Sequence, residues 1–283
     1  MKQNKIFDFD GFITNENLEA RPFVEKFLEL YEKESGLSYN DLNILLEPVM
    51  MKVISDPLSG WNVNGKIVAP AISSEYVFYT VTFQELYAQA MQRNIPNEAI
   101  PAVLKVDDNK LSEIYLESYK SSATVLRDGA KDFLNKHIDA VIVTNSNPTK
   151  VNEKLRTIGL GDGKIRLIGN AKKYVITDNV PGVPVSCSFP SLARPIHLWR
   201  GHYKKILDEI CQGERGTTCG DVWELDNSLP SALGYRTITL DNAIDDEVIG
   251  MTPYEKKWVP KLNLSYVVKN LEEADKILYQ EHY

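Results

Sequence analysis

The chain opens on an apolar run broken by acids. Lys5-Ile6-Phe7-Asp8-Phe9 reads as a short strand, and Gly11 follows where the chain must turn. Apolar positions Phe23, Phe27, Leu28, Leu30 and Tyr31 then recur at helical spacing over residues 21–34, and a second helix is expected over 41–54. Residues 56–74 carry several Gly and Pro breakers and read as a loop, with room for a hairpin. Residues 75–93 and 108–121 return to helical spacing.

Beyond about residue 123 the rhythm changes. A helix over 129–136 leads into the unbroken apolar strand Ala140-Val141-Ile142-Val143-Thr144, the kind of run a parallel sheet buries on both faces. A helix over 151–158 is stopped by Gly159 and Gly161, and a strand over 164–168 follows. Residues 181–195 look irregular. A helix over 202–210, the strand Thr217-Thr218-Cys219, a helix over 228–233, a strand over 236–240, the strand Tyr266-Val267-Val268 and a helix over 271–279 complete the pattern. Strands and helices alternating through short connections predict an α/β fold, a Rossmann-like, doubly wound parallel sheet. Its first strand lies about a hundred residues upstream of its second. The expected division is therefore a core of residues 1–14 and 123–283, with residues 15–122 inserted as a mainly α-helical unit.

Composition narrows the function classes. The chain has 283 residues and a formal net charge of −7. Such a surface is a poor generic partner for nucleic acid or an anionic membrane. No apolar run approaches the roughly 20 residues that span a bilayer. Asp8 and Asp10 interrupt the N-terminal apolar stretch, so no signal peptide is expected. Three cysteines, Cys187, Cys211 and Cys219, show neither paired nor zinc-ligand spacing, which suits a reducing, cytoplasmic setting. Oligomeric state is not legible.

Three segments carry candidate chemistry. Phe7-Asp8-Phe9-Asp10-Gly11-Phe12-Ile13-Thr14 ends a strand in Asp-x-Asp, placing two carboxylates where open α/β sheets build their sites. Carboxylates so close repel unless a cation or a proton intervenes, and magnesium meets that demand with oxygen ligands. Gly220-Asp221-Val222-Trp223-Glu224-Leu225-Asp226 supplies further acids after another strand. Val141-Ile142-Val143-Thr144-Asn145-Ser146 supplies a hydroxyl that could hold a phosphate oxygen or simply cap a helix.

In the order Asp-x-Asp, Thr, Gly-Asp, each after an expected strand, the chain resembles the haloacid dehalogenase (HAD)-like hydrolase superfamily, in its phosphatase branch. The likeness covers residues 5–14 and about 123–283, including Val125-Leu126-Arg127-Asp128-Gly129-Ala130-Lys131-Asp132-Phe133-Leu134. Residues 15–122 then look like a helical C1-type cap, with hinges near residue 14 and over 121–125.

The resemblance implies roles. Asp8 would be the nucleophile, forming an aspartyl-phosphate, and Asp10 the general acid and base. Thr144 would hold a phosphoryl oxygen. Asp8, Asp221 and the backbone carbonyl of Asp10 would bind Mg2+, with Asp226 in support. The implied activity is hydrolysis of a small phosphorylated metabolite; a phosphomutase, or an idle member that binds a ligand or a partner protein, are the alternatives. Members that cleave carbon–halogen bonds lack the acid at the position of Asp10. The phosphate-neutralising cation has no obvious Lys-Pro setting. Arg200, twenty-one residues before Asp221, and Lys204 are the candidates; Arg194-Pro195 lies early, and Lys150 and Lys154 read as solvated. Trp61, Tyr76, Phe78 and Tyr79 either line a pocket or form the core of the cap. His137 reads as an exposed helix end.

Overall fold

The computed structural model describes residues 4–190, 192–242 and 248–279. Its strands are β1 (Lys5–Phe7), β2 (Gly60–Val63), β3 (Lys66–Pro70), β4 (Val141–Val143), β5 (Arg166–Ile168), β6 (Ser186–Cys187), β7 (Ile196–His197), β8 (Thr217–Gly220), β9 (Arg236–Leu240) and β10 (Ser265–Val268). Its helices are α1 (Glu16–Ser35), α2 (Tyr39–Ser55), α3 (Glu75–Met91), α4 (Ile100–Val103), α5 (Asp108–Tyr119), α6 (Ala130–Lys136), α7 (Pro148–Thr157), α8 (Gly201–Cys211), α9 (Ser228–Ala232), α10 (Pro253–Trp258) and α11 (Leu271–Tyr279).

Six strands form one parallel sheet in the order β10-β9-β8-β1-β4-β5. The pleat sends alternate residues to opposite faces. Phe7 and Ile142 pack with Phe133 and Leu134 of α6, Val151 and Leu155 of α7, and Leu271, Ala274 and Leu278 of α11. Ile6, Val141 and Val143 pack on the other face with Tyr203, Leu207 and Ile210 of α8 and Leu229 of α9. Both faces are thus covered, which explains the continuous apolar strands. His137 closes one edge of this core rather than lying exposed. It is fully buried, with Nε2 2.8 Å from Asp275 and Nδ1 3.1 Å from Lys5 Nζ. A helix-end position in the sequence could not show that a lysine and an aspartate would satisfy both ring nitrogens.

Strand order sets the site. The chain runs from β1 outward through β4 and β5, then returns to the other side of β1 with β8. The carboxyl ends of β1 and β8 therefore flank the crevice where the winding reverses.

Between β1 and β4, helices α1, α2, α3 and α5 pack around an apolar cluster containing Phe23, Phe27, Leu46, Phe83, Leu86 and Ile114. Helix α1 begins earlier than its apolar pattern, because Asn15 caps it by accepting from the Leu18 N–H. The breaker-rich segment does form a hairpin, β2–β3. Asn64 and Gly65 both adopt positive φ at its turn, 52° and 79°, as the twist of a two-residue hairpin demands. Val68 and Ala69 of β3 pack against Val222 and Leu225 in the segment after β8. The segments on either side of the insert pair with each other: Asn15 N–H donates to Val125 O at 2.8 Å and Arg127 N–H to Ile13 O at 3.0 Å.

Several short elements escaped the pattern, α4 among them. Residues Trp223–Asn227 form a π-helical turn before α9, and α10 is a short helix closed by a Thr252/Glu255 capping box. The irregular segment 181–195, described except for residue 191, contributes one strand of the small β6–β7 ribbon.

Candidate active site

Strand β1 delivers Asp8 to the crevice, and its backbone N–H is held by Cys219 O of β8 at 2.7 Å. Gly11 turns the chain back at φ 79°, and a Cβ there would lie 2.0 Å from Asp221 Oδ2. Only glycine permits both that backbone and that approach. Asp221, one residue past β8, is fixed by Asn242 Nδ2 at 2.7 Å. The π-helical turn brings Asp226 back over the end of β8, where its Oδ2 accepts from the Val222 N–H at 3.1 Å. Asp8, Asp221 and Asp226 are all buried, and each offers an oxygen within 4.8 Å of the others'.

The cation among them is Lys173. Its ammonium, 1% exposed, donates to Asp8 Oδ1 at 2.6 Å and to Asp226 Oδ1 at 2.8 Å. Lys173 rides on the loop after β5, with Lys172 at positive φ and the Lys173 N–H held by Asn145 Oδ1 at 2.8 Å. Burial disfavours its charge, but Asp226 and Asp8 outweigh that and hold the group protonated. Burial also pushes Asp8 and Asp221 well above the ordinary carboxylate range, with Lys173 opposing at Asp8 and Arg127 at Asp221. One ammonium against three buried carboxylates leaves an excess of negative charge. An all-oxygen donor set with that excess suits a hard divalent cation such as magnesium.

The expectation for Arg200 and Lys204 is corrected here. Arg200 is fully buried, but its guanidinium donates to three backbone carbonyls: His197 at 3.2 Å, Lys173 at 2.6 Å and Val68 at 3.0 Å. These acceptors are neutral backbone carbonyls, and the bond to Lys173 O holds the loop carrying Lys173. Lys204 pairs with Asp208 one turn along α8, at 2.7 Å. Arg194 forms a fork with Glu224, at 2.9 and 2.7 Å. None of the three is bonded to Asp8 among the described contacts.

The Asp10 carboxylate is not one of the acidic triad and is held instead by Thr144 and Lys154. Thr144 Oγ1 donates to its Oδ2 at 3.0 Å, and Lys154 Nζ lies 3.6 Å from its Oδ1. Thr144 thus meets the expected acid, and its hydroxyl also accepts from the Ser146 N–H at 3.1 Å. Lys154 is not solvated as its helix position suggested; it donates to both oxygens of buried Glu19.

Above these groups lies a cavity of about 910 Å³ between the sheet's carboxyl edge and the insert. Asp8, Asp10, Thr144 and Asp221 form its floor; Trp61, Tyr76, Val81, Leu111, Tyr115 and Tyr119 line its walls. Trp61 and Tyr76 are therefore lining residues. Phe78 is 3% exposed in the insert's core, and Tyr79 packs against that core.

No family model matches the chain, and no curated protein matches it. Solved structures do. YfnB from Bacillus subtilis, named a HAD-hydrolase and bound to magnesium, aligns over 98% of this chain and 99% of its own, at 15% identity and a TM-score of 0.52. The chain has the fold of the HAD-like hydrolases. A haloacid dehalogenase-like hydrolase from Bacteroides fragilis matches at 14% identity over 97% of this chain and 100% of its own, with a TM-score of 0.48. A HAD phosphatase from Thermococcus onnurineus matches at 14% identity over 99% of each chain, with a TM-score of 0.42. Among the described residues, no helix is long and apolar enough to cross a membrane.

Proposed function

We propose that this protein is a magnesium-dependent phosphomonoester hydrolase that works through an aspartyl-phosphate on Asp8. The observation that carries the reading is the buried Asp8, Asp221 and Asp226 cluster on a single lysine, opening into a large cavity beside Asp10. Such a cluster is costly to bury, and perturbed carboxylates gathered in a cleft mark a candidate functional site. The magnesium in the YfnB structure supports the same assignment.

Asp8, Asp221 and Asp226 would hold the metal, with the backbone carbonyl of Asp10 as a further ligand. When bound, magnesium screens the charge between nucleophile and phosphate and stabilises the transferring group. A carboxylate oxygen of Asp8 attacks phosphorus, the P–O bond to the leaving group breaks, and Asp10 supplies the proton the leaving oxygen needs. Water then attacks the aspartyl-phosphate, Asp10 takes its proton, and Asp8 is released with inorganic phosphate. Lys173 offsets the negative charge of Asp8 throughout. Residues 15–122 act as a cap that roofs the site and excludes bulk water. The aromatic and apolar walls would receive the organic part of a small phosphorylated metabolite. Lys173, hydrogen-bonded to Asp8, supports the hydrolase reading over an idle binding protein, because the reaction needs a cation beside the nucleophile.

The test is phosphate release from a panel of phosphomonoesters with Mg2+. Turnover that EDTA abolishes and Mg2+ restores is the expected result. An inactive protein across the whole panel, with Mg2+ present, would remove the hydrolase reading.

A further inference from the structure

Half-buried Lys154 and buried Glu19 form a link between Asp10 and the second connection to the cap, and the hydrolase reading gives them no role. Lys154 Nζ donates to Glu19 Oε1 at 2.9 Å and Oε2 at 3.0 Å, and sits 3.6 Å from Asp10 Oδ1. The first two contacts are hydrogen bonds; the third is a charge contact only. Glu19 is 2% exposed and belongs to α1, on the cap side. Its Oε1 also accepts from the Val125 N–H at 3.0 Å, and its backbone carbonyl accepts from the Ala123 N–H at 3.0 Å. Residues 123–125 are the strand of chain by which the insert returns to the core. Lys154 itself comes from α7, in the core.

We propose that Lys154 and Glu19 are positioning residues for Asp10, coupling the orientation of its carboxylate to the seating of the cap's return connection. The proposal rests on the hydrolase reading. Asp10 is held from two sides, by the Thr144 hydroxyl on Oδ2 and the Lys154 charge on Oδ1. Thr144 alone leaves the carboxylate free to swing about that one hydrogen bond. Lys154 removes the freedom, and Glu19 fixes Lys154 by taking two of its three donors. Phe9 closes the link from below, its ring centroid 5.8 Å from Lys154 Nζ. Because Glu19 is bonded to residue 125, displacing the return connection moves Glu19, then Lys154, then Asp10. The acid is in place only when the cap is seated, so proton delivery coincides with exclusion of water.

The test is a mutant cycle read by steady-state kinetics with Mg2+. Lys154→Met alone leaves the Glu19 carboxylate buried without its partner, so it is also made together with Glu19→Gln, which removes both charges. The Lys154→Met/Glu19→Gln protein should lose about 10–100-fold in kcat, as removal of supporting hydrogen-bond partners does elsewhere. Its KM should stay within about threefold, since uniform binding is untouched. Lys154→Arg, which keeps the charge, should recover most of kcat. The decisive arm repeats the pair of changes in an Asp10→Asn background, using p-nitrophenyl phosphate, whose leaving group needs no proton. There they should cost less than about twofold, because Asp10 is the residue they act through. An equal kcat loss in both backgrounds overturns the proposal, as does a change confined to KM or a Lys154→Arg protein no better than Lys154→Met. A wild-type protein without turnover would sink the hydrolase reading and this proposal together. Wild-type turnover with an additive cycle would sink this proposal alone.

Discussion

Two buried charge clusters lie side by side on the turn after β8, and they are built to opposite ends. Glu224 and Asp226 are two residues apart in the same π-helical turn. Glu224 is fully satisfied: Arg194 grips both its oxygens, and the Tyr254 hydroxyl donates to it at 2.8 Å. Charge and hydrogen bonds close within the protein, and nothing is left for a ligand. Asp226 shares one lysine with Asp8 and lies beside Asp221, so its cluster keeps an excess of carboxylates that a proton or an added cation has to balance. The first cluster also holds the segment leading into the hairpin of the insert, since Arg194 Nε donates to Pro57 O at 3.3 Å. The comparison separates a buried ion pair that is architecture from a buried excess of charge that is a site.

Neutralising the cation of each cluster should separate them. Lys173→Met, assayed with Mg2+, should cut kcat by about 10²–10³-fold, the scale of losing one preorganised donor to developing charge. Lys204→Met should leave kcat unchanged, because its partner is Asp208 on the surface of α8. Arg194→Met should act on stability instead. It strands Glu224 in the interior, at a cost of about 3–5 kcal/mol. Urea denaturation would show the loss, and Arg194→Met/Glu224→Leu should regain much of it. A Lys173→Met enzyme with full activity, or an Arg194→Met protein of unchanged stability, would erase the distinction.

A smaller effect should appear in the pH dependence of stability. Glu255 lies against the satisfied cluster, and burial, with Glu224 adding, pushes its carboxyl from 4.5 to about 8. The folded protein then holds a proton that the unfolded chain has released. That contribution is complete below about pH 4.5 and fades as pH rises through about 8. Glu255→Gln is neutral at every pH. Its melting temperature should therefore fall less between pH 6 and 9 than that of the wild type. Parallel curves for the two proteins would show that Glu255 does not titrate as its burial implies.

The legible and illegible parts of the site divide for physical reasons. Asp8, Thr144 and Asp221 were readable because each directly follows a strand of a parallel sheet, and Asp10 because it lies in the turn just after β1, where position in sequence nearly fixes position in space. The continuous run over residues 140–144 announced a strand buried on both faces. Lys173 was not readable by the same logic. It lies in an irregular loop, next to an almost indistinguishable neighbour: Lys172 is exposed while Lys173 is buried. The one available signal was a Lys-Lys pair just beyond the carboxyl end of β5, on the same edge as the other site residues. Spacing pointed to Arg200 instead, which supports Lys173 through its backbone. Glu19 and Lys154 were hidden for another reason. Each reads as an ordinary polar helix position until the insert and the core are brought together, and that junction buries Glu19 and half-buries Lys154.

The proposed mechanism requires Asp8 to carry the phosphoryl group. The direct measurement is chemical trapping during turnover: quench the protein with a phosphomonoester and Mg2+, reduce with borohydride, and map the modified residue by peptide mass spectrometry. Reduction of an acyl-phosphate should mark position 8, with no mark when EDTA is present or in the Asp8→Asn protein. Phosphate release that proceeds with position 8 unmarked, or that persists undiminished in Asp8→Asn, would contradict the account.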